Sequence, residues 1–107
     1  GVKINGYYQA GSNFSLTIEN LSEIAFVCTR AELWNGSDLI TETEDSSLLG
    51  GDRVETGENF GVTVTINRDF PDNGFQFKYY LTHEETGSDF VVSHEYDDDG
   101  DFPFFDF

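Results

Sequence analysis

The chain has 107 residues, with 21 Asp and Glu against 5 Lys and Arg, a formal net charge of -16 and a single cysteine. That length fits one domain, residues 1–107, with a hydrophobic core of its own, and one cysteine excludes both an intrachain disulfide and a thiolate-rich zinc site. The charge excludes nucleic acid and anionic membrane surfaces as direct partners, because phosphate binding needs clustered cations to displace counterions; basic proteins and cations match it, as does a role in solubility alone.

In chain order, apolar residues recur with period two. The pattern predicts strands over residues 2–8, 14–20, 24–34, 39–44, 60–67, 75–84 and 89–97. In "NFSLTIEN" it runs through Phe14, Leu16 and Ile18. In "FGVTVTIN", Phe60, Val62, Val64 and Ile66 alternate with Gly61, Thr63, Thr65 and Asn67. "FQFKYYL" sets Phe75, Phe77, Tyr79 and Leu81 on one face and Gln76, Lys78 and Tyr80 on the other. Turn signals separate the runs: "AGSN", "NGSD", "LGGD", "PDNG" and "ETGS". No helix is needed. Residues 45–59 lack either periodicity and are expected to form a loop that crosses between two sheets. The fold class is all-β, an immunoglobulin-like two-sheet sandwich of about seven antiparallel strands with Greek-key connections.

The last two strands suggest a hairpin closed by Thr86 and Gly87. That turn would pair Leu81 with Val92, Tyr79 with His94 and Phe77 with Tyr96, apolar against apolar. It would also set His83 beside Phe90 and His94 beside Tyr79, on one face but roughly 13 Å apart at the usual strand rise. Two histidines so spaced do not share a metal ion, and each is expected at a core edge.

Catalytic signatures are missing from the sequence. Nucleophile elbows, metalloprotease helices and phosphate-binding glycine loops need motifs at strand-to-helix junctions or on helices, and "LGGD" is only a turn. Cys28 lies in the apolar stretch "IAFVCT", where a small buried thiol is the default. The expectation is therefore that the chain is not an enzyme and binds no cofactor, with calcium the one alternative. "NFS", "NLS" and "NGS", at Asn13, Asn20 and Asn35, match the N-glycosylation pattern; all three fall at expected strand ends or turns, where Asn serves structure.

The chain ends in "HEYDDDGDFPFFDF". Asp97, Asp99 and Asp101 have the alternate spacing that opens an EF-hand, but Gly100 stands at the fourth position instead of the sixth and no twelfth-position Glu follows. A looser oxygen cage of Asp97, Asp98, Asp99 and Asp101 is the candidate calcium site, against a solvated acidic turn. Phe102, Phe104, Phe105 and Phe107 then form either a cap on the domain's own core or a segment that docks a partner.

The central stretch, residues 14–66, resembles the small bacterial and archaeal immunoglobulin-like modules of the FxLYD and CARDB kind. The resemblance is carried by a strand closing on Asn20, by "ELWNG" with Trp34 and Gly36, and by Gly57 and Glu58 leading into an alternating strand. "ENLSE" at 19–23 is similar to an element of the intracellular proteinase inhibitors of bacilli. The first resemblance implies a non-catalytic binding or spacing module of a secreted or cell-envelope protein. Such a module would engage a protein or glycan through its loops or an edge strand. The charge adds two alternatives: an acidic inhibitor or immunity-type protein that covers a basic enzyme surface, and a calcium-assisted domain.

Overall fold

Alternating burial along seven antiparallel strands divides the chain between two sheets, as seen in a computed structural model that describes residues 1–10, 12–51, 53–66 and 74–96, with 7–10 and 96 as backbone only. The strands are β1 (Val2–Ala10), β2 (Asn13–Asn20), β3 (Phe26–Asn35), β4 (Asp38–Thr43), β5 (Asn59–Thr65), β6 (Phe75–His83) and β7 (Asp89–Tyr96). β1-β2-β5 form one sheet and β4-β3-β6-β7 the other. The chain crosses between sheets after β2, after β4 and after β5, which is the expected Greek-key sandwich.

Pairing within the first sheet sets apolar against apolar: Phe14 opposite Val64, Leu16 opposite Val62 and Ile18 opposite Phe60, all buried. Phe75, Phe77, Tyr79 and Leu81 supply the facing layer from β6. The sheets meet through aromatic edges. The Phe14 ring lies 5.6 Å from Phe75 and 5.5 Å from Phe77, and Phe26 lies 5.4 Å from Phe60 in a T-shaped contact. Cys28 is buried among them, and burial pushes its thiol up to about 12, far from a reactive thiolate.

Residues 45–59 do cross between the sheets, and they do so in contact with the core. Asp45 caps a single 3₁₀ turn, Ser46–Leu48, by accepting the Ser47 N–H at 3.0 Å. Leu49 is then buried, and Val54 bridges to Phe26 through hydrogen bonds of 2.8 and 3.1 Å. Gly50 has φ of 94°, and a Cβ there would lie 2.8 Å from that of Phe60, so the crossing needs glycine at this point.

Asn20 locks the opposite side of the crossing. Its side chain is fully buried; Nδ2 donates to the carbonyls of Ile24 and Val54, each at 3.1 Å, and Oδ1 accepts from Ser22 N at 2.8 Å and Ser22 Oγ at 2.6 Å. Its backbone joins the turn before β5, donating to Glu58 O and accepting from Gly57 N. The Asn, Gly and Glu of the central stretch thus meet in one corner. The amide of Asn20 is used up structurally, so the "NLS" match is a corner and not a glycan attachment point.

The β6–β7 hairpin corrects the expected pairing. Phe77 faces His94, Tyr79 faces Val92 and Leu81 faces Phe90, two residues away from the partners expected with a Thr86-Gly87 turn. The loop is longer: residues 84–88 lie between the strands, Gly87 N donates to His83 O at 2.8 Å and Gly87 adopts φ of 70°. A shift of two residues keeps every side chain on its face, so the apolar match that favoured one register favours the other equally. The expected neighbours still touch diagonally, with ring centroids 5.3 Å apart for Tyr79 and His94 and 4.7 Å for His83 and Phe90.

His94 is not at a core edge. It is 1% exposed, and its Nε2 shares a 2.8 Å hydrogen bond with the Tyr79 hydroxyl. Burial pushes its pKa down to about 4 from an ordinary 6.5.

Two predictions follow from these buried polar groups. Asn20→Ala removes one of two donors from each of the Val54 and Ile24 carbonyls and the acceptor of the Ser22 N–H, and is expected to cost about 1–3 kcal/mol in urea unfolding; a loss under about 0.5 kcal/mol would remove the corner's structural role. For His94, the unfolded chain takes up a proton between pH 6.5 and about 4 that the folded chain refuses. Its contribution is therefore complete above pH 6.5, declines as the pH falls through that window, and levels off below about 4, a change of about 3 kcal/mol. Carboxylate protonation relieves charge repulsion in the lower part of the same window, so the quantity to measure is the difference between wild type and His94→Gln. A difference independent of pH would show that His94 is not held neutral.

Candidate binding face

A one-residue bulge in β3 builds the most elaborate side-chain cluster among the described residues. Up to Cys28, even-numbered residues of β3 point into the sandwich. Between Cys28, opposite Leu81, and Arg30, opposite Tyr80, Thr29 is inserted as an extra residue. The alternation then reverses, so Ala31 and Leu33 enter the core while Arg30, Glu32 and Trp34 turn to the outer face. β6 sets Gln76, Lys78 and Tyr80 beside Trp34, Glu32 and Arg30, and β4 sets Glu42 opposite Glu32.

Glu32 is the hub. It is only 6% exposed although it stands on the solvent side of the sheet. Its Oε1 accepts from the Trp34 indole N–H and the Tyr80 hydroxyl, both at 3.0 Å, and its Oε2 accepts from Arg30 Nε at 2.7 Å. Burial by itself would push this carboxyl up. The bonds from Trp34, Arg30 and Tyr80, with the charge of Arg30, outweigh it and hold the group below the usual carboxylate range. The bond to Glu32 also pushes the Tyr80 phenol up, so Tyr80 stays a donor.

Glu42 directly opposite Glu32 would repel it. Arg30 removes that conflict by pairing with both and reaching Glu44 at 3.7 Å. Lys78 lies 5.4 Å from the centroid of the Trp34 ring, a cation–π distance. Arg30, Glu44, Tyr80 and Asp89 border a shallow depression of about 370 Å³ beside the hub. The product is a face whose two large aromatic side chains are fixed by bonds at their polar ends while their rings remain partly exposed.

The expected calcium residues, Asp97, Asp98, Asp99 and Asp101, and the expected docking residues, Phe102, Phe104, Phe105 and Phe107, lie outside the described residues. Among the described residues, no group of three or more His, Cys, Asp or Glu is placed to hold a metal ion. His83 packs on Phe90 and His94 on Tyr79. Sequence reasoning missed Arg30, Glu32 and Trp34 as a set, because strict alternation would have put them in the core with Phe26 and Cys28. The available signal was that contradiction: three polar or amphipathic residues at alternate positions, continuing the register of a core face.

No protein-family model matches the chain, and no curated protein matches it.

Glu32→Leu separates the hub's two effects. A buried carboxylate replaced by an apolar residue of similar size changes stability little, within about 1.5 kcal/mol, whereas Trp34 and Tyr80 lose their common acceptor. Hydrogen exchange of the Trp34 indole N–H is expected to speed up by about tenfold or more. Unchanged exchange would mean that Glu32 does not fix the ring.

Proposed function

We propose that the chain is a non-catalytic binding module of the immunoglobulin-like kind, and that the outer face of the β4-β3-β6-β7 sheet is its recognition surface. The observation that supports this is Glu32. Stability alone favours an apolar residue at so buried a position, because desolvating a carboxylate opposes folding. What Glu32 contributes is the fixed orientation of Trp34, Tyr80 and Arg30, the residue types that most often dominate binding energy at interfaces. A protein ligand fits better than a glycan, since Lys78 already sits over the ring that a sugar would stack on. The resemblance of residues 14–66 to FxLYD- and CARDB-like modules agrees with a binding or spacing role in a secreted or envelope protein.

A second reading has its own support. The net charge of -16, with Glu42 and Glu44 beside Arg30 on the face, suits an acidic inhibitor or immunity-type protein that covers a basic enzyme surface. The two readings share a surface and differ in salt dependence.

The test is affinity capture from the native source, followed by titration of the purified partner against Trp34→Ala, Tyr80→Ala and, on the other sheet, Lys3→Ala. Affinity is expected to fall about tenfold or more in the first two and to hold in the third. Raising salt from about 50 to about 500 mM is expected to slow association steeply only under the inhibitor reading. Equal affinity for all three variants would remove the face as the recognition surface.

A further inference from the structure

Every open sheet carries edges, and among the described residues three of the four here show protection. β4 contains a bulge where Leu33 and Trp34 meet Thr41 and Leu39, and β1 is bulged between Ile4 and Gly6. The edge of β5 is engaged by the crossing: Thr41 Oγ1 donates to Thr65 O at 2.7 Å, and Gly50 sits against Phe60. β7 differs. Its eight residues contain no proline and no lysine, their register with β6 is unbroken, and no other described strand pairs with them.

The ladder shows which groups are open. His83 N–H donates to Ser88 O, and hydrogen-bonded pairs in an antiparallel ladder recur at every second residue. Phe90, Val92 and His94 therefore direct their N–H and C=O groups at β6, while Asp89, Val91, Ser93 and Glu95 direct theirs outward. Beside that edge lies a hollow of about 390 Å³, floored by Gly1 and Val2 and walled by residues of β7 from Phe90 to Ser93. Val91, at its rim, is 51% exposed.

Charge selects the occupant. Asp89 and Glu95 bracket the outward-facing residues, Glu84 and Glu85 precede β7, and the sequence continues from Tyr96 into three more aspartates. A second copy fits badly. Antiparallel self-pairing centred on Val92 would set Asp89 opposite Glu95 at both ends, between two chains of net charge -16 each. An extended segment bearing Lys or Arg meets the same backbone groups with the opposite charge.

We propose that β7 accepts an extended basic segment of a partner protein as a fifth strand of the sheet, with cationic side chains against Asp89 and Glu95 and a small apolar one entering the hollow beside Val91. This deepens the binding-module reading and rests on it. Main-chain hydrogen bonds would supply affinity, and the hollow and the two acids selectivity.

The probe is an acetylated, amidated peptide of about seven residues alternating Lys and Val, titrated into the isotope-labelled wild-type chain and followed by amide NMR. The lysine peptide is expected to shift amides of residues 89–95 and to slow hydrogen exchange at Val91 and Ser93. N-methylation of the peptide's bonding edge, or Glu in place of Lys, is expected to weaken binding about tenfold or more. Val91→Pro, which removes an N–H that β6 does not use, is expected to do the same while the chain still unfolds cooperatively. Three results would overturn the proposal: no response to the lysine peptide, equal binding of the N-methylated peptide, or shifts at residues 89–95 that grow with protein concentration alone. None of them decides the outer-face reading, which stands or falls on the Trp34→Ala and Tyr80→Ala titrations.

Discussion

The bulge at Thr29, one residue of β3 with no partner of its own in β6, determines what this sheet presents to solvent. Were Thr29 to pair regularly with β6 instead of bulging, Arg30 and Glu32 would follow Phe26 and Cys28 into the sandwich, where an ion pair without aqueous contact opposes folding by several kcal/mol per ion. With the bulge, Ala31 and Leu33 take the inner positions and the charged residues come out beside Lys78 and Tyr80. The bulge costs one irregular step in the ladder. It yields a continuous core beneath and a polar cluster above, and the hub at Glu32 exists only in that phase.

Cations are scarce, and their placement follows from the scarcity. Arg30 serves Glu32, Glu42 and Glu44; Arg53 reaches Glu55 at 2.8 Å and Glu84 at 3.4 Å; Lys78 covers the Trp34 ring. Acids outnumber cations 21 to 5, and their mutual repulsion opposes the folded state. What offsets it is apolar: the Phe14, Phe75, Phe77 cluster and the Phe26, Phe60 pair tie the two sheets together at distances typical of aromatic packing. The exposed ion pairs contribute little by comparison, because solvent and salt screen them. Glu32, whose carboxylate is buried and triply bonded, is where a charge organises the surrounding side chains.

The strands could be read from the sequence because one buried face imposes period two on each of them, and the observed bounds of β2, β5, β6 and β7 fall within a residue or two of the expected ones. The sandwich class follows from the number and spacing of those strands. Register was less accessible: Phe75, Phe77, Tyr79 and Leu81 match Tyr96, His94, Val92 and Phe90 as well as they match the set shifted by two, so only the loop geometry around Gly87 decides. The face escaped sequence reading for a related reason. In "IAFVCTRAELW" the arrival of Arg30 and Glu32 in the register of Phe26 and Cys28 signals that the alternation reverses, but not that Thr29 is the residue at which it does so. Asn20, Gly57 and Glu58 were visible as a pattern, and their joint role in one corner appears only once the crossing from β4 to β5 is traced.

The charge and the β7 edge, unpaired among the described strands, belong together. An eight-residue edge strand without bulge, lysine or proline invites pairing with its own copies, and most proteins blunt such edges locally. Here the protection is distributed. Two chains of net charge -16 repel over the approach that pairing requires, and Asp89 and Glu95 add like-charge contacts at the last step. Local blunting would close the edge to every partner, whereas charge closes it only to acidic ones. An acidic body would therefore let an edge remain open and still remain selective, and under the strand-addition proposal the same acids that look like simple solubility in the composition would act, at β7, as the filter on what can bind.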